Sequence, residues 1–156
     1  MCSKLSTISL RFYTGSIYLI NMVVKTKAIY QNPENSDGYR VLITRYYPRG
    51  IGRNKFDEWV WALSPSGSLL HDYKSGKVDW KLFVLRFIQE LRVSIAGQEA
   101  LIELSQFSKE NEVTLLCYEK SGVPCHRHIV RELIENPETL FLSFRSSLQS
   151  EECLSP

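Results

Sequence analysis

The chain has 156 residues, 44 % of them hydrophobic and 23 % charged, a balance that fits one packed domain and excludes disordered, coiled-coil and collagen-like classes. Its formal net charge is only +2. That is too little for a protein that binds nucleic acid mainly by releasing counterions, so any basic site must be local.

Residues 1 to 21 read as an upstream extension with little structural role, since a clean strand pattern begins only after Met22. The apolar run Ser16-Ile-Tyr-Leu-Ile20 is too short to cross a bilayer and lacks the features of a signal peptide. Lys25 to Tyr30 is the first predicted strand, followed by the dense turn signal Gln31-Asn-Pro-Glu-Asn-Ser-Asp-Gly38. Tyr39 to Thr44 is the second strand, and its almost unbroken apolar run suits a strand covered on both faces by helices. Proline and two glycines make Arg45 to Arg53 irregular.

Asp57 reads as the N-cap of a short helix through Trp59, Trp61 and Leu63 that ends at Pro65. Ser66 to Gly76 reads as a turn or frayed helix. Asp79 then caps a strong helix in which Trp80, Val84, Phe87, Ile88 and Leu91 recur at the spacing of one buried face. All three tryptophans, at 59, 61 and 80, are expected in the core. Gln98 to Glu110 is predicted as a further helix, with Leu101, Leu104 and Phe107 inward. Glu112 to Cys117 is a strand, and the helix after Pro124 runs to about Asn136, where Pro137 stops it. Thr139 to Phe144 is a last short strand, and Arg145 to Pro156 a polar tail.

This order implies a single α/β domain over residues 22 to 144, with Rossmann-like layers: a small, mostly parallel sheet flanked by helices. Several segments together carry a family resemblance. They are Gly38-Tyr-Arg-Val-Leu-Ile-Thr-Arg-Tyr-Tyr-Pro-Arg-Gly50, Asp57-Glu-Trp59, Leu63-Ser-Pro-Ser66, the Trp80 to Leu91 helix and Val113-Thr-Leu-Leu116. Over roughly residues 25 to 136 the chain resembles the YeaO-like family, catalogued as domain of unknown function 488. The resemblance implies a compact α/β domain in the cytoplasm and carries no catalytic assignment. Cys125-His126-Arg127 resembles a version found in part of that family.

The candidate site lies where the 112–117 strand ends and the next helix opens. Ligands of open α/β sheets bind outside the carboxyl ends of the strands, and helix amino termini attract anions. Arg45 and Arg49 leave the neighbouring strand at that end, so with Arg127 they form a candidate anion site, in which Asp57 and Ser66 are included as ligand-binding positions. His126 shares the sheet-facing side of its helix with Val130, and Arg127 shares a neighbouring face with Arg131. His126 and Glu119 are candidate proton carriers. Cys125, whose thiol pKa a helix start would lower, and Cys117 are candidate nucleophiles.

Four cysteines at 2, 117, 125 and 153 make no disulfide framework and fit a reducing cytoplasm. Cys125 and Arg131 have the spacing of phosphotyrosine phosphatases, but that chemistry needs a glycine-rich loop and these residues are helical. Cys117, Cys125, His126 and His128 are a conceivable zinc set. His126 and His128 stand about 200° apart around a helix and cannot share one ion, so no metal is assigned. No Walker, dinucleotide or Ser-His-Asp pattern occurs, and no cofactor is expected.

Two functions remain open. One is an enzyme acting on a small anionic, nucleotide-like substrate. The other is a non-catalytic module for a phosphorylated ligand or a nucleic-acid end, in which Arg45-Tyr46-Tyr47-Pro48-Arg49 with Arg53 and Lys55 could stack and neutralise the ligand.

Overall fold

The computed structural model describes residues 24–140. The expected extension over 1 to 21 and the tail over 145 to 156 lie outside the described residues. Four strands, β1 (Lys25–Ala28), β2 (Tyr39–Leu42), β3 (Glu58–Trp59) and β4 (Val113–Cys117), form one sheet in the order β1-β4-β2-β3. Every neighbouring pair is parallel. The helices are α1 (Gly67–Lys74), α2 (Trp80–Val93), α3 (Ile95–Phe107) and α4 (His126–Glu135). The expected α/β class and parallel sheet are present. Among the described residues no helix is long and apolar enough to cross a membrane.

Strand β4 is buried at all five positions and is paired on both edges. Successive side chains of a strand alternate between faces, and the two sides of this sheet receive different covers. Val41, Ile43, Val113 and Leu115 join the larger core with Phe83, Phe87, Leu91, Leu101, Leu104, Val130, Leu133 and Ile134 of the helices. Leu42 and Leu116 face the other way, against Ile29 and Phe56, with Tyr47, Ile51, Trp59 and Tyr118 packed around them. Helices on both faces were expected from the apolar run of β2. Instead the second face is closed by the 46–56 loop, whose Tyr47 meets the Phe56 and Trp59 rings edge-on at 5.9 and 5.5 Å.

Residues 57 to 63 are not a helix. Glu58 and Trp59 pair with Val41 and Leu42 as an edge strand, and a 3-10 turn covers Trp61–Leu63. Asp57 caps no helix; its carboxylate accepts the Arg40 backbone N–H at 2.8 Å. Trp59 is half-buried and donates its indole N–H to the Thr44 carbonyl at 2.8 Å, whereas Trp61 is 53 % exposed. Residues 67 to 74, expected as a turn or frayed helix, form α1, capped by the Ser66 hydroxyl, which accepts from Leu69 N–H at 3.2 Å.

On α2 the buried positions are Phe83, Phe87 and Leu91, so Phe83 takes the place expected of Val84. Helix α3 starts earlier than expected: Ser94 both ends α2 and caps α3, accepting from Gly97 N–H at 3.1 Å. Leu101 and Leu104 are buried as expected, while Phe107 is 39 % exposed and lies against Tyr39. Thr139 and Leu140 are helical rather than extended, and the rest of the expected 139 to 144 strand lies outside the described residues.

The turn before β2 is fastened from several sides. Lys27 Nζ reaches Asp37 Oδ1 at 2.8 Å and Glu34 Oε1 at 3.0 Å, and the Thr114 hydroxyl donates to the Asp37 carbonyl at 2.6 Å. Gly38 has φ 62°, and a Cβ there would lie 2.2 Å from the Glu112 carbonyl oxygen. Only glycine accepts both that conformation and that approach. Gly38→Ala should therefore destabilise the fold by about 3 kcal/mol, read as a lower urea midpoint with an unchanged slope.

Candidate functional site

The parallel register fixes the site. Because Leu42 lies beside Leu116, the chain leaving β2 and the chain leaving β4 emerge together. Ile43, at the first of these exits, accepts on its carbonyl a 2.7 Å hydrogen bond from His126 Nε2, at the start of α4. A carbonyl can only accept, so Nε2 carries a proton and Nδ1 is the ring nitrogen left for other partners. That Nδ1 stands 3.9 Å from the sulfurs of both Cys117 and Cys125. Phe87 closes one side of the imidazole, edge-on at 5.7 Å.

These three residues form the floor of a cleft of about 580 Å³. Its walls are Thr44 to Tyr46 after β2, Leu70, Tyr73 and Lys74 of α1, Trp80 and Phe83 of α2, and Tyr118, Val123 and Pro124 of the turn before α4. Trp80 and Phe83 are stacked 5.1 Å apart, and Tyr73 lies 4.8 Å from Phe83, which makes one wall aromatic. Arg45, His71 and Lys74 bring basic groups to the same cleft. A volume of this size suits a small-molecule ligand.

The two thiols are driven in opposite directions. The neighbouring Cys117 thiol lowers Cys125 to about 4, and His126 adds to the effect against the opposing cost of burial. Cys117 is pushed up, first by its neighbour Cys125 and then by burial. The asymmetry has a structural source, because Cys125 is the N-cap of α4 and receives its free N–H dipoles, whereas Cys117 ends a buried strand. Of the two, Cys125 is the sulfur biased toward the thiolate and Cys117 the one biased toward the thiol. Together with His126 these residues also present three donor atoms within 4.8 Å of one another, a soft donor set of the kind that zinc accepts. The sequence argument against a metal rested on pairing His126 with His128, and His128 is not part of this cluster.

A family model described as the active DUF488-N3 subclade matches residues 24–138. The chain belongs to that family. Among similar proteins, it is 28 % identical over 117 residues to the uncharacterized protein YeaO of Escherichia coli K12, a match covering 74 % of this chain and 99 % of YeaO. It is 26 % identical over 113 residues to the uncharacterized protein Rv3073c of Mycobacterium tuberculosis H37Rv, covering 71 % and 92 % of the two chains. No solved structure matches. The match takes in both strand exits and the Cys-His pair of this DUF488 chain.

The candidate residues separate into two groups. Cys117, Cys125, His126, Glu119 and Arg45 line the one cleft. Arg45 also lies over the Trp61 ring, 5.5 Å from its centre. Arg49 is exposed and does not line the cleft. Asp57 is held at the opposite end of β2 by Arg40, and Ser66 is occupied by Glu90, whose Oε2 accepts Ser66 N–H at 2.9 Å.

Arg127 is only 1 % exposed and does not line the cleft. Its guanidinium donates to the Glu119 carbonyl, to Lys120 O at 2.9 Å and to Lys27 O at 3.4 Å. It fastens the turn before α4 to the end of β1. His71, Lys74, Tyr73, Trp80 and Phe83 were missed as wall residues, and for α1 the Ser66 cap and the 69/70/73 apolar spacing were the available signal.

Two outcomes follow. Arg127→Met fills similar volume but leaves those carbonyls without their donor, so it should cost about 3 kcal/mol of stability, measured by urea unfolding. Cys125 has its folded pKa below its unfolded one, so between about 4 and the ordinary thiol range near 8.5 the unfolded chain holds a proton the folded chain has lost. Its stabilising contribution should therefore be complete above that range and vanish as pH falls through about 4. Iodoacetamide labelling of native Cys125 should titrate near 4 in the same way, and Cys125→Ser should remove both dependences.

Proposed function

We propose that this chain is an enzyme that acts on a small anionic, nucleotide-sized substrate by nucleophilic attack from Cys125. One observation carries the reading: a cysteine at a helix amino terminus, with a second cysteine and an imidazole beside it, at the floor of a cleft that has one aromatic wall and the side chains of Arg45, His71 and Lys74. Cys125 supplies the nucleophile. His126, held by Ile43 with Nδ1 toward the sulfurs, stabilises the nucleophilic sulfur and delivers a proton to the leaving group. Cys117 donates a hydrogen bond that stabilises the thiolate between turnovers. Arg45 and Lys74 hold the anionic group, and Trp80 and Tyr46 offer surfaces for a planar ring. Glu119 is an exposed carboxylate at the same cleft and is the second candidate for moving a proton. The word active in the description of the matched subclade suits a catalytic site.

The competing reading is a non-catalytic module that binds a phosphorylated ligand in this cleft. Labelling kinetics separate the two when AMP and inorganic phosphate serve as probes. Cys125 should react with iodoacetamide at pH 7 about tenfold faster than Cys117. AMP should slow that labelling and raise the melting temperature by a few degrees, and Arg45→Ala should abolish both effects. Stabilisation by AMP with a Cys125 that stays inert to iodoacetamide would instead identify the module.

A further inference from the structure

Two sulfurs face the floor of the cleft, and nucleophilic attack uses only one of them. Cys117 and Cys125 are both buried, at 3 % and 2 % exposure, and both are free thiols. Their sulfurs lie within 4.8 Å of each other. The segment that joins them is exposed from Glu119 to Pro124 and contains Gly122 at φ 82°. Two free sulfurs this close, on a floor that a small reagent can reach, are the arrangement in which an oxidised sulfur is captured before it is oxidised further. The wall is mostly apolar and aromatic, which favours a small uncharged oxidant.

We propose that Cys125 and Cys117 form a peroxide-sensing pair that closes into an intramolecular disulfide and so switches the site off reversibly; this rests on the nucleophilic reading of Cys125. The Cys125 thiolate attacks the outer oxygen of a hydroperoxide. A sulfur–oxygen bond forms, the oxygen–oxygen bond breaks, and the departing alkoxide takes a proton from solvent to leave as the alcohol, or as water when the oxidant is hydrogen peroxide. Cys125 is thereby oxidised by two electrons to the sulfenic acid. The Cys117 sulfur then attacks the Cys125 sulfur, the sulfur–sulfur bond forms, and the hydroxyl departs with the Cys117 proton as water. A dithiol reductant reverses the closure by exchange.

The geometry assigns the roles. Cys117 is fixed at the end of β4, while Cys125 sits at the end of an exposed turn. Closure must bring the sulfurs from their present separation to about 2 Å, which requires rotation of the Cys125 side chain away from His126 and a shift of the turn. Arg127 restrains that shift, because its guanidinium holds the Glu119 and Lys120 carbonyls. Arg127 is thus a positioning residue that slows closure. The disulfide would remove both the nucleophile and its donor from the cleft floor.

The test uses the full chain with Cys2→Ser and Cys153→Ser, reduced and treated with equimolar hydrogen peroxide, then with N-ethylmaleimide. Intact mass should fall by about 2 Da with no maleimide added, a peptide map should link 117 to 125, and dithiothreitol should restore two reactive thiols. In Cys117→Ser, dimedone should trap Cys125 as the sulfenic acid, and excess peroxide should drive it to the sulfinic acid about tenfold faster than in the parent. Cys117→Ala serves the same purpose if the serine variant melts lower than the parent.

Two maleimides on a chain whose Cys125 is alkylated fast by iodoacetamide would overturn the switch and leave the nucleophilic reading standing. A Cys125 inert to both reagents would overturn both. One equivalent of tightly held zinc that protects the pair from peroxide would overturn the switch and assign the three donors to a metal.

Discussion

Burial of β4 on both faces and both edges is the constraint from which the site follows. A strand hydrogen-bonded on each side by parallel neighbours must send its exit out at the same end as theirs, so Cys117, Ile43 and Ile29 leave the sheet together. The helix that follows has one place to begin, above that edge, and its first residues therefore meet the strand exits. A cysteine at the strand end and a cysteine-histidine pair at the helix start are brought together by topology. Nothing in their own side chains has to attract them.

The charges at this edge divide by burial. Arg127 is enclosed and satisfied largely by backbone carbonyls, so it acts as a clamp between the end of β1 and the turn before α4. Burying a guanidinium is costly unless its donors are met, and here the carbonyls of Glu119, Lys120 and Lys27 meet its two terminal nitrogens while Nε has no partner among the described residues. Arg45 instead lies over an exposed indole with its charge available to the cleft. Two arginines that look alike in the sequence thus do opposite work: one holds the cleft's shape and the other its field.

Much of the frame was legible from residue patterns. The apolar runs of β2 and β4 and the capped three-and-four spacing of α2 announce themselves, and the convergence of β2 and β4 follows from the rules of parallel sheets. The 57–63 segment misled because Asp57 resembles a cap, although Trp59, Trp61 and Leu63 recur every second residue, an extended period rather than a helical one. Helix α1 was obscured by Ser66-Gly67-Ser68, which has turn composition even though Ser66 is its cap. The role of Arg127 was illegible for a deeper reason. Its partners are main-chain carbonyls, and those carry no residue signature; an arginine at a helix start near two others reads as part of an anion site until the turn it grips is seen. The pairing of Cys117 with Cys125 was nearer to view, since a strand end and the next helix start are neighbours in any βα unit, but the metal argument looked to His128 and so passed over the three donors that do meet.

The position of β4 also governs how the chain can acquire its structure. Lys25 and Tyr39 both find their partners only at residues 113 and 114, so β1 and β2, made early, have no sheet to join until nearly the whole domain has left the ribosome. Before then β2 has only the two-residue β3 beside it, and its apolar edge is open to any other strand. Contacts this distant make assembly slow compared with the helices, which close locally. The helical layer can therefore be in place first and act as the surface on which the sheet condenses, with β4, the last strand among the described residues, being the one that zips the others together. The cleft would be the final part of the molecule to exist, and a nascent chain would carry Cys117 and Cys125 apart from each other and from His126 until that moment.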